Sequence, residues 1–241
     1  MARKKTTRKT RTARKAPASA PPPRGTSDRD KAVDALMTLL AERPLEDIGL
    51  AEVAGQAGLK LSQLRTAFGS VMAIYAAHVK DIDRKVLDGG DADLEEEPAR
   101  ERLFDVLMRR LEAMEPYKDA VRSVMRSARR HPGLAMALNA MAVRSQRWML
   151  EAAGISANGP RGAMRAQGAA LMFARVIDTW VDDDEPGHDR TMAALDRGLA
   201  SAERWVGFLD DLCMLPACIL RGPRRRRRRA RDEWDEDMEA A

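Results

Sequence analysis

Aromatic side chains make up only 4% of this 241-residue sequence, and it contains few runs of β-branched residues. Strands are rich in both classes, whereas Ala, Leu, Met, Arg and Glu, which are abundant here, favour helices. Cysteine is nearly absent: Cys213 and Cys218 lie close together, without a second pair or a neighbouring histidine, so neither a zinc motif nor a disulfide framework is indicated. The composition predicts an all-α protein.

Long apolar runs are missing as well. No stretch approaches the roughly 18 apolar residues that would span a bilayer, and no hydrophobic segment follows the basic N-terminus as in a signal peptide. We therefore expect a cytoplasmic protein without a membrane span. The three histidines are scattered, and no Ser–His–Asp, Cys–His or glycine-rich phosphate motif is visible. The sequence predicts no enzyme, no cofactor and no metal site.

Acidic residues are absent from the first 24 positions, which carry nine Lys or Arg, while residues 221–241 carry eight Arg and six acids. Of the 42 basic and 37 acidic residues in total, 25 and 31 remain for the central part, which is therefore acidic. We predict a disordered basic arm over residues 1–26 and a charged disordered tail over 216–241. The arm either aids solubility or contacts phosphates, and Arg224–Arg229 either contacts nucleic acid or is neutralised by the following acids.

Residues 27–88 have the pattern of a small helical head. Ser27 with Asp30 resembles a capping box, and the first apolar helical face ends before Pro44. A second, short helix leads to Gly58, which permits a tight turn, and a fourth helix is expected over about 70–87. The inner face of the third helix is predicted to consist of Leu61, Leu64 and Phe68.

A polar break over residues 89–97 precedes a second helical block, which we place at 98–215. Pro116 and Pro132 divide its first part into separate helices. Two long helices follow, over about 161–182 and 189–213. In the second of them, apolar residues recur at alternating spacings of three and four, as in the seam of a helix–helix interface.

Residues 53–68 have the spacing of a helix-turn-helix, whose second helix turns its outer face toward a DNA major groove. Through Ala57, Gly58, Leu64 and Phe68 this segment resembles the TetR/AcrR family of transcriptional regulators, and the resemblance covers about residues 28–87 by motif. It implies a three-helix helix-turn-helix head joined to a C-terminal helical bundle. The predicted DNA-contacting residues are Lys60, Ser62, Gln63, Arg65 and Thr66.

The resemblance also implies a homodimer that forms through the last two long helices and responds to a small ligand. The predicted interface residues are Ala170, Ile177, Leu195, Leu199, Ala202 and Val206. Methionines give the second block an adaptable interior that suits an apolar ligand, although core filling explains them equally well. The predicted pocket residues are Met108, Met125, Met141, Trp148 and Phe173.

These features favour a ligand-responsive repressor that binds double-stranded DNA as a homodimer. Lipid-binding accessory proteins of ubiquinone biosynthesis share the TetR-like fold without binding DNA, and they are the alternative. The sequence leaves the operator, the ligand and the sign of regulation open.

Overall fold

A computed structural model describes residues 27–90 and 96–202, which are helical with no strand in these ranges. The all-α prediction is confirmed for them, whereas the arm over 1–26 and the tail over 216–241 lie outside the described residues. Short 3-10 turns cover Leu45–Asp47 and Glu115–Tyr117. The helices are α1 (Asp28–Glu42), α2 (Leu50–Gln56), α3 (Leu61–Ala67), α4 (Val71–Asp88), α5 (Ala99–Met114), α6 (Lys118–Arg130), α7 (Pro132–Ala152), α8 (Gly159–Trp180) and α9 (residues 189–202).

Local signals place most helix ends. The Ser27 hydroxyl caps α1 by accepting from the backbone N of Asp30 at 3.1 Å, and Ser70 caps α4 in the same way. Pro116 lies in the 3-10 turn after α5, and Pro132 is the first residue of α7. Proline is tolerated there because the first N–H groups of a helix have no intrahelical acceptor.

The head (α1 to α4) and the body (α5 to α9) share one continuous core, since α6 packs along α1. Two buried serines of α6 form hydrogen bonds with the backbone of the segment that follows α1. The Ser123 hydroxyl donates to the carbonyl of Arg43 at 2.9 Å, and the Ser127 hydroxyl accepts from the backbone N of Leu45 at 3.3 Å. The Ser127 hydroxyl also lowers the pKa of Glu46. The polar break in the sequence therefore does not separate two independent cores.

An antiparallel pair, α7 and α8, forms one side of the body. The side-chain amides of Asn139 and Gln167 bond each other in both directions, at 3.2 and 3.0 Å. Gly162 lets α8 approach the preceding loop, because a Cβ at this position would overlap the backbone of Ala157.

Helix α9 packs closely on α8, where a Cβ at Gly198 would meet the Met172 side chain at 2.8 Å. The loop before α9 supplies the cap of that helix. The Asp183 carboxylate accepts from the backbone N of Thr191 at 3.0 Å and from its hydroxyl at 2.6 Å. Across the described ranges, no helix combines the length and the apolar character needed to cross a membrane.

Candidate nucleic-acid interface

The turn that the sequence predicts lies between α2 and α3. Gly58 has a φ of +66°, the left-handed conformation that favours glycine, and Leu59 N donates to the carbonyl of Ala54 at 2.9 Å to close α2. The backbone N of Gly49 donates to the Glu52 carboxylate at the start of α2. The two helices, of seven residues each, pack against each other across this turn.

Leu64 of α3 and Phe68, the residue that ends the helix, are buried against the core that α1 and α2 share. Leu61 was expected beside them, but its side chain is 54% exposed, so this part of the prediction is wrong. Leu59, in the turn, packs against the core instead. Leu61 is the first residue of α3. A helical wheel shows how a residue is rotated about the helix axis but not where it lies along the axis, and this end of α3 extends beyond the core.

All five predicted DNA-contacting residues lie together and are exposed. Lys60 is the N-cap residue of α3, and Ser62, Gln63, Arg65 and Thr66 belong to the helix. A short helix with one buried leucine therefore presents nearly its whole circumference to solvent. This geometry suits insertion into a major groove, which admits an α-helix.

Two of these side chains are engaged within the protein. The Gln63 amide accepts from the backbone N of Lys60 at 2.9 Å and donates to the Asp28 carboxylate of α1 at 3.0 Å. The Thr66 hydroxyl donates to the carbonyl of Ser62 at 3.0 Å. Through these two bonds Gln63 caps α3 and joins it to α1, and each of its polar atoms keeps one further hydrogen-bonding position.

The head has no surplus of positive charge, with eight basic and nine acidic residues over positions 28–87. Arg29 forms a bidentate pair with Asp81 at 2.9 Å to both oxygens, and Arg43 pairs with Glu52 at 2.5 Å. The Asp81 pairing raises the pKa of Arg29. These pairs reduce the positive charge that the head presents at its surface.

A buried polar cluster joins α4 of the head to α5 and α7 of the body. The Arg110 guanidinium pairs with the Asp83 carboxylate, and the Ser145 hydroxyl donates to the same oxygen of Asp83 at 2.7 Å. Arg110 also lies over the Phe173 ring of α8, 5.8 Å from its centroid. Burial raises the pKa of nearby Tyr75 to about 12, and the Arg110 charge opposes this shift.

Sequence reasoning missed this cluster. The sequence does place both charged residues beside buried positions, because Asp83 directly follows Ile82 of α4 and Arg110 directly precedes Leu111 of α5. A charged residue at the edge of an apolar stripe is often solvated, and only the packing shows that these two side chains meet in the core.

The predicted pocket residues do not converge on one described cavity. Phe173 is buried under Arg110, and Met108, Met125 and Met141 are partly buried. Trp148 is 57% exposed on α7. An open groove of about 330 Å³ lies elsewhere, lined by Glu101, Phe104, Met192, Ala193 and Asp196. The described residues contain no group of three or more His, Cys, Asp or Glu suited to a metal ion.

Three of the six predicted interface residues, Ala170, Leu195 and Leu199, are buried within the single chain. Ile177 and Ala202 are partly buried, and Val206 lies outside the described residues. Four of the large apolar side chains that are exposed in the described residues lie on α7 and α8 instead: Met136, Trp148, Met164 and Leu171.

The N-terminal half of α7 has no fully buried side chain over residues 132–144, although Leu134, Leu138, Met141 and Val143 are partly buried against the core. On α8, the exposed positions 161, 164, 168, 171 and 175 recur at spacings of three and four. We name the exposed side chains of α7 and α8 the outer face. On α8 its apolar members Met164 and Leu171 lie between Arg161 and Arg175, so the outer face is a mixed surface with apolar side chains near its middle.

Comparison with solved structures identifies the architecture. A TetR transcriptional regulator from Nitrosomonas europaea aligns with 73% of this chain and 97% of its own, at 21% identity and a TM-score of 0.58. A TetR transcriptional regulator from Rhodococcus sp. RHA1 aligns with 73% of this chain and 95% of its own, at 20% identity and a TM-score of 0.52. Neither a family model nor a curated protein matches the chain. The chain has the TetR fold.

Proposed function

We propose that this protein is a DNA-binding transcriptional regulator that acts as a homodimer. The observation that carries the proposal is the recognition helix: α3 is anchored by Leu64 and Phe68 and exposes Ser62, Arg65 and the N-cap Lys60. The two similar solved structures bear the name of transcriptional regulators. Helix-turn-helix dimers place two such helices in successive major grooves.

The basic arm completes the DNA contact in this proposal. The head alone has no excess of positive charge, whereas the first 24 residues carry nine cationic side chains and no acid. A polycation beside a recognition helix increases affinity by releasing counterions from phosphates, and it does so with little regard to sequence. In this proposal α3 supplies the preference for a base sequence, and the arm supplies much of the affinity for DNA.

The homodimer forms through the outer face, with a second copy of the chain covering α7 and α8. An interface related by a two-fold axis needs one self-complementary patch, and the outer face carries four large exposed apolar side chains on two adjacent helices. At its centre Gly168 has open space around the position of a Cβ, which allows close approach of a partner helix. Burial of Met136, Met164 and Leu171 would supply the hydrophobic driving force.

A small apolar ligand in the body regulates DNA binding in this proposal. The methionines 108, 125 and 141 leave a soft interior in the body, and the Asp83–Arg110–Ser145 cluster connects that interior to α4. A ligand that shifts α5 or α7 would therefore move α4 and change the separation of the two heads. The ligand changes DNA affinity only if it binds one separation of the two heads more tightly than the other.

Selection of duplexes from a random pool by the full chain, at physiological salt, tests the proposal. We expect an enriched sequence with two related half-sites, bound much more tightly than a scrambled duplex. Arg65→Ala should weaken binding, while Arg126→Ala, which removes an exposed arginine of α6, should not. Failure to enrich any sequence, together with lipid that co-purifies with the protein, would contradict the proposal and favour the lipid-binding alternative.

A further inference from the structure

Leu61 is an exposed leucine on an otherwise polar recognition surface. Six large apolar side chains of the described residues are exposed, and Leu61, at 54%, is the member of that set on α3. It begins the helix, one residue after the N-cap Lys60. The N-terminal residues of a recognition helix are those that contact base edges, so this side chain lies where sequence is read.

The hydrogen-bonding side chains around Leu61 are partly committed elsewhere. Both polar atoms of the Gln63 amide are engaged, with Lys60 N and the Asp28 carboxylate. The Thr66 hydroxyl gives its hydrogen to the carbonyl of Ser62. On α3, Arg65 can make a bidentate contact with a base, whereas Gln63 would have to share its amide between a base and its two present partners.

Thymine differs from every other DNA base in the major groove by an apolar group, its 5-methyl. An exposed leucine gains free energy by covering that methyl, because both apolar surfaces leave water. We propose that Leu61 is a specificity-determining residue that selects thymine through this contact. The inference rests on the proposed DNA binding and adds to it the chemical group that is read.

Replacing thymine by uracil tests the contact, because the change removes only the methyl group. In the duplex selected by the full chain, each thymine of one half-site is replaced in turn, and affinity is measured by fluorescence anisotropy. We expect one position at which uracil weakens wild-type binding about fourfold, the equivalent of burying one methyl group.

Leu61→Ala should weaken binding to the thymine duplex and should lose the penalty for uracil at that position. Leu61→Met, which keeps an apolar side chain of similar reach, should retain most of the penalty. Leu87→Ala removes an exposed leucine at the end of α4 and should leave the penalty unchanged. Because Leu61 is exposed, the thermal unfolding of the Leu61→Ala variant should match that of the wild type.

A wild-type protein that tolerates uracil at every position, or a selected half-site without thymine, would overturn the inference while leaving the proposed function intact. So would an undiminished uracil penalty in Leu61→Ala. If the full chain prefers no duplex at all, the proposed function fails, and the inference fails with it.

Discussion

The Gln63 amide of α3 donates to the Asp28 carboxylate at the start of α1, with 3.0 Å between Nε2 and Oδ2. Thirty-five positions of sequence separate the two residues. The contact joins α3 to the first helix of the head, and with the Lys60 bond it engages each polar atom of the amide once.

The first prediction follows from this contact. Gln63→Ala removes a cap and a bond between helices, so it should destabilise the protein by about 1 kcal/mol. It should weaken binding to all duplexes to a similar degree. Urea unfolding and anisotropy on selected and scrambled duplexes measure the two effects. A change in base preference at one or two positions, with stability unchanged, would instead identify Gln63 as a base reader.

The buried pair of Asp83 and Arg110 gives the second prediction. Arg110→Met leaves the Asp83 charge in the core with Ser145 as its remaining partner, and it should cost roughly 3 to 5 kcal/mol in urea unfolding. Adding Asp83→Asn removes that stranded charge. The double variant should therefore lose less than the sum of the single variants, by about 1 kcal/mol or more.

Arg84→Met is the matched control for this pair, because Arg84 pairs with Asp81 but is itself exposed. It should cost less than about 1 kcal/mol, as is usual for a pair at the surface. Additive effects of Arg110→Met and Asp83→Asn would show that the two side chains do not interact in the folded protein.

The third prediction concerns acid stability. Hydrogen bonds from the Thr191 hydroxyl and backbone N hold the pKa of Asp183 below its usual value. Because the folded pKa lies below the unfolded one, the carboxylate stabilises the fold at neutral pH, and this contribution is lost as the pH falls through the folded pKa.

Asp183→Asn should therefore be less stable than the wild type at pH 7, by about 1 kcal/mol for a weakened cap. The difference should shrink below about pH 4. Asp182→Asn, in the same loop but exposed, should follow the wild type. Thermal unfolding between neutral and acidic pH checks this, and a difference that stayed constant with pH would exclude the Asp183 carboxylate as its source.

The fourth prediction tests the outer face. Leu171→Glu places a charge on its apolar centre and should convert the dimer to a monomer, as measured by light scattering at micromolar concentration. Leu87→Glu, on an exposed leucine of α4, should leave the mass unchanged. Leu199→Glu should unfold the protein, because that side chain is buried within one chain. A monomeric wild type would contradict the proposed interface.

The fifth prediction concerns the arm. Deletion of residues 1–24 removes nine cationic side chains, so it should lower DNA affinity and flatten the dependence of affinity on salt. The preferred sequence should stay the same, since phosphate contacts carry no base information. An unchanged salt dependence in the deletion variant would show that the arm does not touch DNA.

Local sequence determined the helices and the turn. Ser27 caps α1, Gly58 makes the turn between α2 and α3, and Pro132 begins α7, as their positions in the sequence predict. Caps and breakers act on backbone groups within a few residues, so a single sequence contains the needed information. The spacing of Leu64 and Phe68 likewise defined the buried side of α3.

Tertiary structure decided which surface each apolar face meets. The spacing of Leu195 and Leu199 indicates that one side of α9 is buried. It does not show whether that side meets α8 of the same chain or a partner chain. The fold buries both residues within the single chain. Leu61 has the period of the inner face and is exposed, because it lies at the end of its helix. Gln63 has the position of a base reader, yet it meets Asp28, a residue distant in sequence. Periodicity constrains the rotation of a helix about its axis, whereas contacts between distant segments depend on how the helices are arranged in space.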